Sequence, residues 1–331
     1  PPVPIISVSY IGDSILLSSG HLRSQAGVAM TASMNLFLGL VLSALWGGCH
    51  AAYQDYPLPR ATLGVEVAKR LDQRYHDRRT DCGTRSQAAH LCAGILLRTT
   101  SSSTEFNTWE PNPATVAAGR GMSFSYLSVL GPIEMLYKHA KGVVIYPGSH
   151  VPAGRIALNV LCGFPVDGAT DKRDGKGCGK HLLHAGSEPC DGQGITTAER
   201  FLGHYLRSPD LAYPQQGQCA FNLREGAGQP VADAFEQMLR VTNLLPRLQV
   251  NGQNEVMVDN PPEGTSAAQW PIEAIFYTAA AGLPGAQIDQ RNFFDKSGIM
   301  VPIIRITLPV RDGRDAAFDY IEDDQVTFAQ P

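Results

Sequence analysis

Charge is scarce in this chain. Asp, Glu, Lys and Arg make up 18 % of its 331 residues, against about 25 % in an ordinary globular protein. The net charge of −4 comes without any run of Lys or Arg. No stripe therefore exists to follow a phosphate backbone or an anionic bilayer, so nucleic acid and anionic membranes are not expected partners. Cys-x-x-Cys and His-x-x-x-His pairs are absent, which argues against zinc. His181 and His184 do stand near Cys178 in "GCGKHLLH", but three ligands do not complete a site, and no metal is expected. Gly-x-Ser-x-Gly is missing too; "YPGSH" (146–150) lacks the second glycine that a serine hydrolase elbow needs. "GAGQP" and "GKGCG" have no strand before and helix after them, as a phosphate-cradling loop requires.

Long apolar runs are also lacking. The longest feature of that kind, within "MNLFLGLVLSALWGGCHA" (34–51), has an uncharged core from Leu36 to Trp46. A bilayer span needs about 20 residues, so this stretch is too short to cross. Its small-residue tail instead fits a secretory signal peptide, with cleavage expected after Ala51 and Cys49 at the −3 position. Arg23 is the nearest upstream basic residue. Residues 1–29 match neither a signal nor a domain, and a start at Met30 or Met34 is expected. On this reading 1–51 is removed. The remainder, 52–331, is a secreted region of one large or two closely packed domains, with no integral membrane association.

Cysteine usage agrees with export. Setting Cys49 aside leaves Cys82, Cys92, Cys162, Cys178, Cys190 and Cys219. An even number in an exported chain points to disulfides. Cys82 and Cys92 flank a short polar loop and are expected to pair, while the other four allow three connectivities. In 60–80, Leu63, Val67, Leu71 and Tyr75 recur at helical spacing. "ITTAERFLGHYL" carries Thr196 and Glu199 at capping-box spacing. "PVADAFEQMLRVTNLL" opens on Pro230 at a first helical turn, and "GAQIDQRNFFDKSG" is also read as helix. Strands are expected at 93–98, 121–131, 142–148, 156–166, 254–259, 270–278 and 300–310. Residues 167–194, rich in Gly, Asp, Lys and Cys, are read as a disulfide-tied loop. Asp167, Asp171, Arg173 and Asp174 in it form a solvated cluster without the spacing of a calcium loop. The fold class is α+β, a mostly antiparallel sheet with flanking helices, disulfide-stabilised and rich in loops.

The chemistry-bearing residues are thinly spread. "LCAGILLRTTSSST" (91–104) delivers Arg98 from an apolar strand into a hydroxyl-rich tract. "SFS" adds Ser123 and Ser125 on a second strand, and Glu273 lies in a third. A strand-end cation paired with Glu105 or Glu110, a half-exposed serine face and a solvent-facing glutamate are the bland readings. The sharper one is a site in which Arg98 holds an anion through paired donors, Ser123 or Ser125 supports it, and Glu273 stabilises an oxocarbenium-like charge. Arg120 and Tyr126 flank the serine strand as candidate nucleotide contacts. Trp109 offers a ring for stacking, although core packing is the commoner fate of such a residue.

The order "CAGILLRTT…WEPNP…SFSYL", "KGVVIYP", "VLCGFPVDGATDKRDGKGCG" and "WPIEAIFYTAAAGLPGAQIDQRNFF…VPIIRITLP" resembles the halovibrin family of secreted bacterial proteins over roughly 80–310. Arginine, a Ser-hydrophobe-Ser strand and then glutamate is likewise the order of mono-ADP-ribosyltransferases and NAD glycohydrolases. The resemblance implies a secreted enzyme that cleaves the nicotinamide–ribose bond of NAD. It needs no cofactor beyond that substrate and has a host protein as a further acceptor if it transfers ADP-ribose. The family's "SFSYLR" reads "SFSYLS" here, placing Ser128 where a basic residue stands. Transfer is associated with an acid or Gln two positions before the glutamate; Pro271 occupies that position ahead of Glu273, which favours hydrolysis. A non-enzymatic secreted protein that binds a host or envelope surface is the alternative.

Overall fold

Val67, Leu71 and Tyr75 fall on one stripe of helix α1 (Ala61–His76) and are all buried, as residues four apart on a helix must be if that stripe meets a core. A computed structural model describes residues 61–101, 107–117, 121–136, 139–166, 178, 189–207, 218–224, 228–245, 253–310 and 313–326. The expected signal peptide, Arg120 and most of the 167–194 loop lie outside these residues. The described residues belong to one compact unit, Asp55–Pro331.

The sheet is built from β1 (Ile95–Thr99), β2 (Met122–Leu127), β3 (Lys141–Ile145), β4 (Val160–Phe164), β5 (Phe221–Asn222), β6 (Glu255–Val258), β7 (Ile272–Tyr277), β8 (Ile303–Thr307) and β9 (Ala317–Tyr320). Their order is β5-β4-β6-β2-β1-β3-β7-β8-β9. Every pairing is antiparallel except β7 with β8. A parallel pair needs a crossover, supplied by α5 (Leu283–Ser297). The other helices among the described residues are α2 (Pro113–Ala117), α3 (Ala198–Tyr205) and α4 (Val231–Leu244). This is the α+β, mostly antiparallel architecture expected from the sequence.

Helices cover both faces, so the central strands are buried on both sides. On one face Leu96, Phe124, Tyr126, Val143, Ile275 and Ile303 pack with Phe235 and Met238 of α4 and Phe293 of α5. On the other face Ile95, Leu97, Val144, Ala274, Phe276 and Ile304 pack with Val67, Leu71 and Tyr75 of α1. Further along this second face, Leu161, Cys162, Phe164, Met257 and Cys178 form a small separate cluster. Strand β8 shows its outer position by alternating buried Ile304 and Ile306 with exposed Arg305 and Thr307.

Cys82 pairs with Cys92 as expected, and the open connectivity resolves to Cys162–Cys178 and Cys190–Cys219. Three elements escaped the sequence. Helix α2 is a single turn within "WEPNPATVAAG", where Asn112 Oδ1 accepts from Ala114 N at 2.9 Å. Strands β5 and β9 span two and four residues; β5 is defined by β4, far earlier in the chain, and β9 by β8, the strand just before it. The cap of α3 is Thr197 rather than Thr196: its side chain accepts from Arg200 N at 3.3 Å, leaving Glu199 in the first turn.

Candidate functional site

Arg98 is the next-to-last residue of β1, half-buried, and points to the α4–α5 face. One guanidinium nitrogen donates to the Trp109 carbonyl at 2.8 Å and lies 3.9 Å from Met122 Sδ. Burial pushes this guanidinium down to about 10. Two residues on, Thr100 Oγ1 meets a buried ion pair on the same face. Lys141 Nζ lies 2.5 Å from Asp289 Oδ2 of α5 and 3.3 Å from Thr100 Oγ1. Burial raises the Asp289 carboxyl, and Lys141 opposes that shift.

Glu273 points the opposite way. Its Oε2 lies 2.5 Å from Arg74 Nη2 and its Oε1 3.3 Å from Arg70 Nε, both on α1. A bulge at Val144/Ile145 in the β3–β7 ladder leaves Glu273 without a direct partner across the ladder. That irregularity lets Glu273 share the α1 side with Ala274. The expected convergence of Arg98 with Glu273 is therefore overturned, because the sheet lies between their side chains. Glu273 is also not the solvent-facing residue of the bland reading, since its side chain is 1 % exposed.

Ser123 and Ser125 fall on Glu273's face, since Ser125 pairs with Leu97 and Ser123 with Met257. Ser123 is exposed and Ser125 buried. Ser125 and Ala274 are separated by β1 and β3, three strand spacings or roughly 14 Å, so neither serine orients Glu273. Trp109 and Tyr126 are core residues rather than ligand contacts. Trp109 is buried edge-on against Phe293, with ring centroids 5.1 Å apart. Tyr126 packs on Phe235 and donates its hydroxyl to the Ala93 carbonyl at 3.0 Å. Arg120 is outside the described residues.

The serine strand has a different carboxylate beside it. Strands β2 and β6 pair Met122 with Val258, Ser123 with Met257 and Phe124 with Val256. One step further in that register stands Glu255 opposite Ser125. Glu255 also pairs with Phe164 of β4, a residue of the small cluster on the α1 face, which fixes its side. The register is closed by Asn254, whose Oδ1 accepts from Tyr126 N and whose Nδ2 donates to Tyr126 O, each at 2.7 Å. Glu255 and Ser125 are thus buried neighbours, with exposed Ser123 two residues along the strand. Sequence reasoning passed over Glu255 as part of a plausible short strand. The signal was present: Gln253 stands two positions before it, the spacing that Pro271 breaks for Glu273.

The surroundings of Glu273 form a second cluster. Arg155 donates from Nη1 to the Ile272 carbonyl at 2.5 Å and lies 5.4 Å from the centre of the Tyr146 ring. Burial raises the Tyr146 phenol above its ordinary value and Glu273 pushes the same way, whereas Arg155, Arg70 and Arg74 oppose.

Among the described residues, no group of three or more His, Cys, Asp or Glu side chains is placed to hold a metal ion, and no helix is long and apolar enough to cross a membrane. No protein-family model matches the chain, and no curated protein matches it.

Proposed function

We propose that this protein is a secreted enzyme that cleaves the nicotinamide–ribose bond of NAD, with Glu255 rather than Glu273 as its working carboxylate. The observation that carries this choice is the β2–β6 register, which sets Glu255 opposite Ser125 on the face where Ser123 reaches solvent. A carboxylate is the group this chemistry needs. As the bond from ribose C1′ to the nicotinamide nitrogen breaks, the electron pair leaves with nicotinamide. The positive charge left on the ribose is stabilised by a nearby anion. Water then adds at C1′ and releases a proton, giving ADP-ribose. Gln253, two residues before Glu255, supports transfer to a protein acceptor as a second outcome, which moves the balance away from simple hydrolysis.

A non-enzymatic protein that binds a host or envelope surface is the rival, and burial of both Glu255 and Glu273 favours it. Folded mature protein incubated with NAD and assayed for free nicotinamide separates the two. The enzyme reading expects release that Glu255→Gln abolishes, while Glu273→Gln keeps it per mole of folded protein. Loss in Glu273→Gln with retention in Glu255→Gln would return the chemistry to Glu273. Absence of release from folded wild type would leave the binding reading.

A further inference from the structure

Tyr146 stands in a field of four charges, three of them positive. The guanidinium groups of Arg155, Arg70 and Arg74 and the carboxylate of Glu273 all act on its phenol. A tie between α1 and β7 is complete with Arg74 alone, whose side chain is 11 % exposed and 2.5 Å from Glu273. Arg70 and Arg155 are surplus to that tie. Both are nonetheless held in place, Arg70 by Glu273 Oε1 and Arg155 by the Ile272 carbonyl and the Tyr146 ring. Among the described groups that act on Tyr146, three cations face one anion, an excess of two positive charges in a partly shielded place. Like charges fixed there repel one another unless an anion sits among them.

The donors are also underused. A guanidinium carries five N–H groups. Arg70 places Nε on Glu273 and Arg155 places Nη1 on a carbonyl, while Arg74 Nε is buried with no hydrogen-bond partner among the described residues. The side chain of Arg70 is 42 % exposed, so the cluster opens to solvent.

We infer that Arg70, Arg74, Arg155 and Tyr146 form a binding site for a phosphoryl dianion. Charge selects the class: a dianion cancels the excess of two, whereas a carboxylate leaves one charge over. Geometry does the same, because guanidinium forks match phosphate oxygens in pairs and the Tyr146 hydroxyl adds a neutral donor. This site is separate from the proposed catalytic one and does not depend on it. Glu255 lies four strand spacings from β7, roughly 19 Å, too far for the diphosphate of a dinucleotide whose reacting ribose is at Glu255. Free phosphate, a phosphomonoester and a diphosphate share the chemistry, so all three serve as probes.

The test is calorimetric titration of the folded protein at low ionic strength with inorganic phosphate, AMP and pyrophosphate, with chloride as control. One saturable site is expected, with Kd below about 1 mM for at least one probe, and the tightest probe identifies the source. Arg155→Gln and Arg70→Gln should each weaken binding at least tenfold. Arg305→Gln, at an exposed arginine paired with Asp319, should change nothing. Absence of saturable binding by folded wild type, or equal binding by Arg70→Gln and Arg155→Gln, would overturn the site. Arg70 is half-exposed, so its variant tests the site even where Arg155→Gln fails to fold.

Discussion

Replacing Glu273 with Gln separates a structural carboxylate from a catalytic one by its cost in stability. The side chain is 1 % exposed and its nearest partner, Arg74, 11 %. Removing one member of a buried ion pair leaves the other charge stranded, at about 3–5 kcal/mol. Glutamine keeps an amide oxygen for Arg74 Nη2, so the lower end, about 3 kcal/mol, is expected. For a domain of this size each kcal/mol moves the melting temperature by about 2–4 °C, so the drop should be about 6–12 °C. Arg70 is 42 % exposed, and solvent screening limits Arg70→Gln to about 1 kcal/mol or less. Arg74→Met should match Glu273→Gln, and the double variant Arg74→Met with Glu273→Met should recover most of the loss, since apolar replacement of a buried pair is often neutral. Calorimetric melting at pH 7 checks all four. A Glu273→Gln protein that melts with wild type, or a double variant whose loss is the sum of the singles, would show that the pair does not hold α1 on the sheet.

Three further outcomes follow from the same structure. His90 is buried beside Phe235, its ring centroid 5.0 Å away, and burial pushes the imidazole down to about 4, from about 6.5 in the unfolded chain. The unfolded state therefore takes up a proton first. Stability is full above about pH 6.5 and falls by about 3 kcal/mol as pH drops to 4. His90→Gln should flatten the melting temperature across that window, and an unchanged slope would assign the acid sensitivity elsewhere. Disulfide loss should scale with loop length. Cys190–Cys219, Cys162–Cys178 and Cys82–Cys92 close separations of 29, 16 and 10 residues, for expected losses of about 3.6, 3.1 and 2.7 kcal/mol on Cys→Ser replacement of each pair. Urea midpoints of the three paired variants test that order. Asn254→Asp should cost about 2 kcal/mol, because a buried acid loses the donor that meets Tyr126 O and keeps only an acceptor; a midpoint within 0.5 kcal/mol of wild type by the linear extrapolation would deny that role.

Much of the fold was legible because its signals are local. Stripes such as Val67, Leu71 and Tyr75 report a helix whatever lies opposite, and short aliphatic runs report strands. Two-residue β5 is defined by a partner far along the chain and edge strand β9 by β8 alone, so little within either announces pairing. The candidate site was less legible for the same reason. Residue order put Arg98, the serines and Glu273 in sequence, but the face on which each side chain emerges is set by pleat and by a bulge. The irregularity at Val144/Ile145 sends Glu273 toward α1, and no property of "WPIEAIFYT" encodes it. Glu255 became visible only when β6 was seen beside β2, a strand more than 100 residues earlier in the chain.

The amide of Asn254 has a consequence for anything done with Glu255. Strand neighbours can slide past one another by a residue, and such a slip turns every side chain to the opposite side. Here a side chain imitates a peptide group, giving and taking one hydrogen bond with Tyr126 at the very end of the ladder. Sliding by one residue would break both while burying an amide with nothing to bond. The glutamate that follows is thereby anchored by its predecessor, so its aim is set before any ligand arrives.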